Sequence, residues 1–276
     1  MNDTASFDWS AHQTGDHRIT CPSCGRGGRD KTAGLKVEHD RGVVHCFRCS
    51  YIESFRTDAT TVHRAPTVKP KHQGEKHVRL SDWGRALWNT TQELDGVALL
   101  YLEARRCWIP PAYGDLRWHP ALKHPSGYVG PALVALITDA HTREPLSLHR
   151  TWITATGKAE VDPPRLHLAN HSIKNGVIRL TPDDDVSTLL GIAEGIETAL
   201  SLAWAPLPVW ALIDAGHMAQ FPVLGGISTL VISQDMDPAG MSAASICARR
   251  WAEAGRDVRV TRQTANDLND LLRGAT

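Results

Sequence analysis

The sequence lacks several features that would fix its class at once. It contains no apolar run of 18 or more residues, so no segment is a candidate for a membrane-spanning helix, and we expect no membrane partner. Its start, MNDTASFDWS, has neither the basic region nor the apolar region of a secretion signal, so we expect a cytoplasmic location. It contains no G-x-x-x-x-G-K-[ST] sequence, which argues against a P-loop motor. What remains is a chain of 276 residues, 42% of them hydrophobic, which is enough for one large or two modest domains.

The chain also lacks net charge, but its charges are unevenly distributed. Residues 1–78 and 79–182 each carry 12 Lys and Arg against 9 Asp and Glu, whereas residues 183–276 carry 6 against 12. A basic surface followed by an acidic one suits a polyanion held near an acidic, metal-binding centre. Charge runs are also common as solvated faces, so the asymmetry alone does not decide the function.

Four of the six cysteines form two Cys-x-x-Cys pairs, Cys21–Cys24 and Cys46–Cys49, with 21 residues between them. This spacing predicts a four-cysteine zinc ribbon, because each pair presents two thiolates to one tetrahedral ion. Disulfides are disfavoured in a cytosolic chain, and redox pairs would need a βαβ setting that is missing here. Between the pairs, the sequence predicts short strands around a polar turn. Cys107 and Cys247 are expected to be buried apolar thiols.

Residues 57–182 are harder to interpret. Residues 57–78 are rich in Pro, Lys, Thr and His without an apolar period, which predicts a linker. Residues 79–182 predict two helices followed by strands, with Trp108, Trp118 and Trp152 either stacking on bases or lying in the core. The basic residues of this segment are either a strip that contacts phosphates or an ordinary charged surface. They are Arg105, Arg106, Arg117, His149, Arg150, Lys158, Arg165, Lys174 and Arg179.

The last third alternates strand and helix. The strands STLLGIAE, LPVWALID, STLVISQD and DVRVT are separated by helical segments, which predicts a parallel sheet with helices on both faces. Ligands of such sheets collect at the carboxyl ends of the strands, where Glu194, Asp214 and Asp235 fall. Since an unpaired charge inside a buried strand is unfavourable, we expect Glu194 to point out of the sheet edge into a site. In the simpler interpretation the segment is an ordinary junction of strand and helix, and Glu197, one turn later, is a solvated acid in the first turn of the helix.

Asp235 and Asp237 are two residues apart, so at the end of an extended strand they face the same side and can reach one metal ion. A cluster of carboxylates that also contains Glu194 and Asp267 favours Mg²⁺ or Mn²⁺. Taken alone, the Asp-x-Asp pair is more often a loop of solvated acids that caps a helix.

Together, the segments AEGIETALS, QDMDPAG and NDLNDLL resemble the acidic motifs of the TOPRIM domain over roughly residues 187–272. The cysteine ribbon is similar to the one in bacterial and phage primases, and residues 79–182 look like the amino-terminal part of the catalytic core in primases of phages and mobile elements. The resemblance implies an α/β fold, a TOPRIM-type parallel sheet with flanking helices, preceded by an α+β subdomain and an N-terminal zinc ribbon. The expected boundaries are 1–56 for the ribbon, 57–78 for the linker, 79–182 for the basic part of the core and 183–276 for the TOPRIM domain.

The resemblance further implies a DNA primase, a nucleotidyltransferase that synthesises short RNA primers from NTPs on a single-stranded DNA template. In that interpretation Asp235 and Asp237 hold Mg²⁺ or Mn²⁺, Asp267 and Asp270 add to the cluster, and Glu194 is a base or metal ligand for the 3′-hydroxyl.

The template and nucleotides would be bound by basic residues of the ribbon and of the middle segment, namely Arg26, Arg48, Arg105, Arg106, Arg150, Lys158 and Lys174. A separate replicative helicase is the expected partner. Asn269 stands where cellular primases often have a second carboxylate.

Two other functions fit the same motifs. A TOPRIM nuclease would use the same acids to cleave a phosphodiester, although the zinc ribbon favours the primase. A catalytically inactive module that binds single-stranded DNA would bind without magnesium dependence.

Overall fold

A computed structural model describes residues 7–25, 31–46, 51–56, 77–112 and 114–274. The chain forms two compact units, one made of residues 1–71 and 237–239, and one made of the remaining residues, which contains a nine-stranded sheet. The expected ligand Cys49, the expected binding residues Arg26 and Arg48, and the predicted linker up to residue 76 lie outside the described residues.

The N-terminal unit contains a four-stranded antiparallel sheet in the order β1-β2-β3-β4. Its core forms because alternate residues of a strand share one face, so that Leu35 and Val37 are buried while Lys36 between them is exposed. Val44 of the next strand completes this core. The sheet confirms the strands predicted between the cysteine pairs. The strands are β1 (Gly15–Ile19), β2 (Ala33–Val37), β3 (Arg41–Cys46) and β4 (Ile52–Arg56).

The second unit begins with two helices and a run of strands, and strands and helices alternate only from β10 onwards, with the longest helix following the Asp-x-Asp pair. Its helices are α1 (Asp82–Asn89), α2 (Val97–Ala104), α3 (Ile196–Leu202), α4 (Ala215–Gln220), α5 (Pro238–Glu253) and α6 (Leu268–Arg273). Its strands are β5 (Leu116–Lys123), β6 (Val129–Asp139), β7 (Pro145–Trp152), β8 (Arg165–His167), β9 (Gly176–Arg179), β10 (Leu189–Ala193), β11 (Val209–Ala211), β12 (Thr229–Ser233) and β13 (Asp257–Thr261).

The strand order of this sheet is β13-β12-β10-β11-β9-β6-β7-β8, with β5 paired to β6. The strands β10 to β13 are parallel, as the βα alternation predicts, and the remaining pairs are antiparallel. The two parts join where Trp210 of β11 pairs with Arg179 of β9. Residues of the middle segment and of the last third therefore form one continuous sheet, which the sequence did not indicate because β9 is only four residues long.

Helices cover both faces of the parallel part. On one face, Ala199 and Leu200 of α3 pack into a core that also contains residues of α2. On the other face, Cys247 and Trp251 of α5 pack against Ile192 of β10. Burial on both faces explains why β10 is an almost uninterrupted apolar run.

Arg179 lies buried at the junction of the two parts, with 3% of its surface exposed. Its guanidinium donates to Asp183 Oδ1 at 2.8 Å and to the carbonyl oxygens of Asp139 and Ala140 at 3.2 Å each. The guanidinium carbon lies 4.4 Å from the ring centroid of Trp210. Because a buried charge is tolerated only when it is paired and hydrogen-bonded, these contacts make Arg179 a structural link between the two parts.

Within the described ranges, no helix is long and apolar enough to cross a membrane, and the longest, α5, has 16 residues.

Candidate functional site

Three of the four predicted zinc ligands come together in the N-terminal unit. The sulfur atoms of Cys21, Cys24 and Cys46 all lie within 4.8 Å of one another, and those of Cys24 and Cys46 are 3.7 Å apart. Four thiolates around a tetrahedral zinc ion at the usual Zn–S distance lie about 3.8 Å from one another. The backbone amides of Ser23 and Cys24 also point at Cys21 Sγ, at 3.4 Å each, which favours its thiolate form. The donor set therefore fits zinc, with Cys49 as the predicted fourth ligand.

The predicted acidic site lies at one edge of the parallel strands. In the sheet register, Ala193 at the end of β10 pairs with Ser233 at the end of β12. Glu194 directly follows the first strand and Asp235 follows the second by two residues, so both leave the sheet at the same edge. Neighbouring strands lie about 4.8 Å apart, which keeps the two segments close. Asp214 follows β11 at this edge as well, where it caps α4 by accepting from His217 N at 2.9 Å.

A backbone hydrogen bond ties the Asp-x-Asp segment to the start of α6. Met236, between Asp235 and Asp237, donates its amide to the carbonyl oxygen of Asn266 at 2.6 Å. Asp267, the next residue, caps α6 by accepting from Asp270 N at 2.8 Å. Burial raises the pKa of the Asp267 carboxyl, and the neighbouring charge of Asp270 raises it further. A cation at this edge would relieve both effects.

The carboxylates do not approach one another as closely as the cysteines do. In the part of the chain that the structure describes, the three cysteines are the group of three donors within 4.8 Å of one another. Asp270 lies 3.5 Å from Arg273 Nη1. Metal binding by Asp235, Asp237, Asp267 and Asp270 therefore stays a prediction.

Gly240 allows α5 to begin directly against the Asp-x-Asp segment. A Cβ atom at this position would lie 2.8 Å from Asp235 Cβ and 2.8 Å from the Asp235 carbonyl oxygen. Any other residue would displace one of these two backbone segments. Pro238 occupies the first turn of α5, where its missing N–H costs nothing. The sequence Asp-Pro-Ala-Gly is thus explained by close packing at the edge that carries the acids.

Asn269 has a structural role instead of a place at the acidic edge. It is fully buried, and its amide nitrogen donates to the Arg105 carbonyl oxygen at 2.7 Å and to Ser201 Oγ at 2.9 Å. The Ser201 hydroxyl in turn donates to the Glu197 carbonyl oxygen at 2.9 Å. A carboxylate cannot donate these bonds, so asparagine is the residue that holds α6 against α3.

Residues 189–275 match the family model described as Toprim domain. This segment is a Toprim domain. Residues 79–180, which precede the Toprim domain, match a model described as a domain of unknown function, DUF7146. No curated protein matches the chain.

The solved structures with similarity to the chain include three primases. The primase fragment of the bacteriophage T7 primase-helicase protein is 15% identical, with a TM-score of 0.43 over 94% of this chain and 95% of that one. The Aquifex aeolicus primase, with its zinc-binding and RNA polymerase domains, is 13% identical, with a TM-score of 0.44 over 95% and 77%. A DNA primase domain from Pseudomonas aeruginosa is 14% identical, with a TM-score of 0.41 over 65% and 68%. TM-scores below 0.5 do not establish a shared overall fold, so the assignment of residues 189–275 rests on the match to the Toprim model.

Glu197 of the Toprim domain is buried, so it is not the solvated acid of the simpler interpretation. Its Oε1 atom accepts from the Tyr101 hydroxyl at 2.6 Å and lies 3.4 Å from the Lys158 ammonium. Burial acts to raise the pKa of Glu197, but the charges of Lys158 and Arg165 and the Tyr101 hydroxyl outweigh it and lower the pKa to about 2. All seven residues of α3 are buried, and α2 of the middle segment packs with α3 in one core. The even distribution of apolar residues in ETALSLA was the signal that this helix has no solvated side.

The predicted basic residues lie in different environments. Arg150 is buried, donates to the His167 carbonyl oxygen at 3.1 Å and lies 5.4 Å from the Trp152 ring centroid. Arg106 is exposed and donates to the Leu272 carbonyl oxygen at 2.9 Å. Arg105 is half-buried, Lys158 is paired with Glu197 and Lys174 is exposed. Binding of nucleic acid or nucleotides by these residues stays a prediction.

Several residues of ambiguous role are core residues. Trp118 and Trp152 are buried, and the Trp152 indole donates to the Leu122 carbonyl oxygen at 2.9 Å, so neither ring offers a stacking surface. Cys107 and Cys247 are buried as expected, and burial raises the pKa of each thiol to about 12.

Proposed function

We propose that the chain is a DNA primase, a DNA-directed RNA polymerase that synthesises short RNA primers on single-stranded DNA. The observation that carries the proposal is the acidic edge of the Toprim domain. Glu194 and Asp235 leave adjacent parallel strands at this edge, and Asp237 is tied to the segment of Asp267 through the Met236 amide.

The chemistry of this edge fits nucleotidyl transfer. Mg²⁺ or Mn²⁺ ions held by Asp235 and Asp237, with help from Asp267 and Asp270, would stabilise the attacking and leaving oxygens of an in-line displacement. Such a transfer needs little covalent chemistry from the protein. Glu194 would orient the 3′-hydroxyl of the growing primer and accept its proton.

The remaining binding functions follow from charge. We assign the binding of nucleotide and template phosphates to Arg105, Arg106, Lys158 and Lys174. Cations near an acidic, metal-binding edge attract a polyanion to it. Arg150, although buried, stays in the predicted set.

The zinc ribbon, with Arg26 and Arg48, would read the single-stranded template, and a separate replicative helicase would open the duplex.

Primer synthesis tests the proposal directly. The protein is incubated with single-stranded DNA of varied sequence, labelled NTPs and Mg²⁺ or Mn²⁺, and the products are separated on a gel. We expect labelled oligoribonucleotides, and a loss of roughly a thousandfold in Asp235→Ala because a metal ligand is removed. Asp257→Ala is the matched control, since Asp257 begins β13 at the opposite edge of the same sheet and pairs with Arg259 in solvent.

Two outcomes would overturn the primase. Metal-dependent cleavage of the DNA without synthesis would identify a nuclease. DNA binding that is equal with and without magnesium, with no product, would identify a binding module.

The zinc ribbon has its own test. We expect the purified protein to contain one zinc ion per chain, released when a mercurial reagent blocks the thiols and measured with a chromogenic chelator. Cys46→Ser should lose the ion, whereas Cys247→Ser, a change at a thiol buried in the other unit, should retain it. Equal zinc content in the two variants would contradict the assignment.

A further inference from the structure

A buried polar group lies where the middle segment meets the Toprim domain. Glu197 of α3 accepts from Tyr101 of α2 and pairs with Lys158 of the connection between β7 and β8. The side chains of Glu197 and Lys158 are 9% and 27% exposed, and Tyr101 is fully buried. Three distant parts of the sequence are thus needed to build this group.

The group lies beside the acidic edge. A Cβ atom at Gly195 would be 3.9 Å from Glu197 Oε2, so this carboxylate faces the side of Gly195, the residue that directly follows Glu194. The added atom would meet nothing closer, which leaves room at Gly195 for a ligand to approach. The Lys158 ammonium, 3.4 Å from the other oxygen of Glu197, therefore lies in the neighbourhood of the residue that follows Glu194.

The group also has a surplus of positive charge. Burial lowers the pKa of Lys158, and while Glu197 opposes this effect, the charges of Arg165 and Arg105 add to it. One carboxylate thus faces three cations, of which Lys158 is largely buried, Arg105 is half-buried and Arg165 is exposed. Such an arrangement is unfavourable by itself and becomes favourable when a polyanion binds. A nucleoside triphosphate has the matching charge.

We infer that Glu197 is a positioning residue that holds Lys158 against the phosphates of the nucleotide used by the proposed primase, and that Tyr101 fixes the Glu197 carboxylate. The inference rests on the proposed function and assigns part of its substrate recognition. A lysine has a flexible four-carbon stem and three N–H donors, and Glu197 occupies one of them. Fixing the stem before binding lowers the entropic cost of engaging a phosphate with the other donors.

The test compares nucleotide affinity with turnover in the full chain. Binding of ATP with Mg²⁺ is measured by calorimetry, and KM and kcat are measured from primer synthesis. We expect Glu197→Gln and Lys158→Met each to raise Kd and KM for ATP by about tenfold, with a smaller change in kcat. The double variant should be no worse than Lys158→Met, because Glu197 acts through Lys158. Lys158→Arg should recover part of the affinity.

The matched control is Glu144→Gln, which removes the exposed ion pair with Arg79 in the same unit. It should leave Kd and KM unchanged. A purely structural role for Glu197 predicts a lower unfolding temperature with an unchanged Kd and KM. It also predicts that the effects of the two single substitutions on stability add in the double variant. This result would overturn the inference. If Glu197→Gln does not fold, Tyr101→Phe and Lys158→Met decide the question, and an unchanged Kd in both would overturn it.

The two proposals fail in different ways. If the wild-type chain makes primers and Glu197→Gln has the wild-type KM, the inference about Glu197 is wrong and the primase proposal still stands. A wild-type chain that makes no primers would remove the primase, and its Kd for ATP compared with that of the variants would still decide the role of Glu197.

Discussion

The two parts of the nine-stranded sheet place their charges differently. In the parallel part, β10 to β13, every strand runs the same way, so Glu194 and Asp235 emerge at one edge, where they are half-buried. In the antiparallel part, β5 to β9, strand ends alternate between the edges, and charged residues such as Arg150 and Lys158 are held within the structure by specific partners.

The difference shows that the direction of the strands determines where charged side chains lie at the ends of a sheet. Parallel strands gather acids that would repel one another unless a cation or a ligand joins them. Antiparallel strands provide cations that are already oriented. The net charge of each region therefore matches its strand arrangement: the antiparallel middle segment is basic, and the parallel Toprim domain beside it is acidic.

The largest effect is expected at the junction between the two parts. Arg179→Met removes the bonds to Asp183 and to the Asp139 and Ala140 carbonyls, and it leaves these acceptors without their donor. We expect the free energy of unfolding in urea to fall by about 3–5 kcal/mol.

Arg143→Met is the control, because Arg143 pairs with the same Asp183 at 3.5 Å from an exposed position. It should cost less than about 1 kcal/mol. Similar losses in the two variants would mean that the junction is not specially dependent on a buried cation.

A smaller effect is expected where α6 packs on α3. Asn269→Asp places a carboxylate against the Arg105 carbonyl oxygen, which lies 2.7 Å from the present donor. We expect a loss of about 2–3 kcal/mol in the free energy of unfolding, measured in urea.

Asp270→Asn, which affects a partly exposed pair with Arg273, should cost less than about 1 kcal/mol. If Asn269→Asp instead tightened magnesium binding at unchanged stability, position 269 would belong to the acidic edge and not to the helix packing.

The smallest effect depends on pH. Both nitrogens of His217 face acceptors, Asp214 Oδ1 at 2.9 Å and the Ile173 carbonyl oxygen at 2.9 Å, an arrangement that favours the doubly protonated imidazolium. Burial acts to lower the pKa of His217, but the Asp214 carboxylate and the Ile173 carbonyl outweigh it and raise the pKa. A raised folded-state pKa stabilises the fold fully below about pH 6.5, and the contribution is lost as pH rises through the raised value.

The wild-type protein should thus exceed His217→Gln in the free energy of unfolding by up to about 1 kcal/mol near pH 6, and by less near about pH 9. Urea titrations at both pH values measure this difference. His141→Gln, at an exposed turn, should show no such pH dependence. A constant gap between wild type and His217→Gln would contradict the charged ring.

The Toprim domain was predictable from sequence because its strands and helices alternate with clear apolar runs, and because Glu194, Asp214 and Asp235 each follow a strand. The four-cysteine spacing likewise predicted the approach of Cys21, Cys24 and Cys46. The contacts of Glu197 were not predictable, since Tyr101 and Lys158 are 96 and 39 positions away in the chain and no local pattern links them. In the sequence, Asn269 was only a departure from a family pattern. The structure explains the asparagine, because its buried amide nitrogen donates two hydrogen bonds.

The shared sheet also determines where the polypeptide can be divided. A fragment that began at residue 183 would keep the acids but lose β9, the neighbour of Val209–Ala211. Its outermost strand would then expose unpaired amides and carbonyls, a surface that recruits strands from other molecules. Truncations intended for crystallisation or assay should therefore retain Gly176–Arg179, even though these residues lie outside the segment that matches the Toprim model.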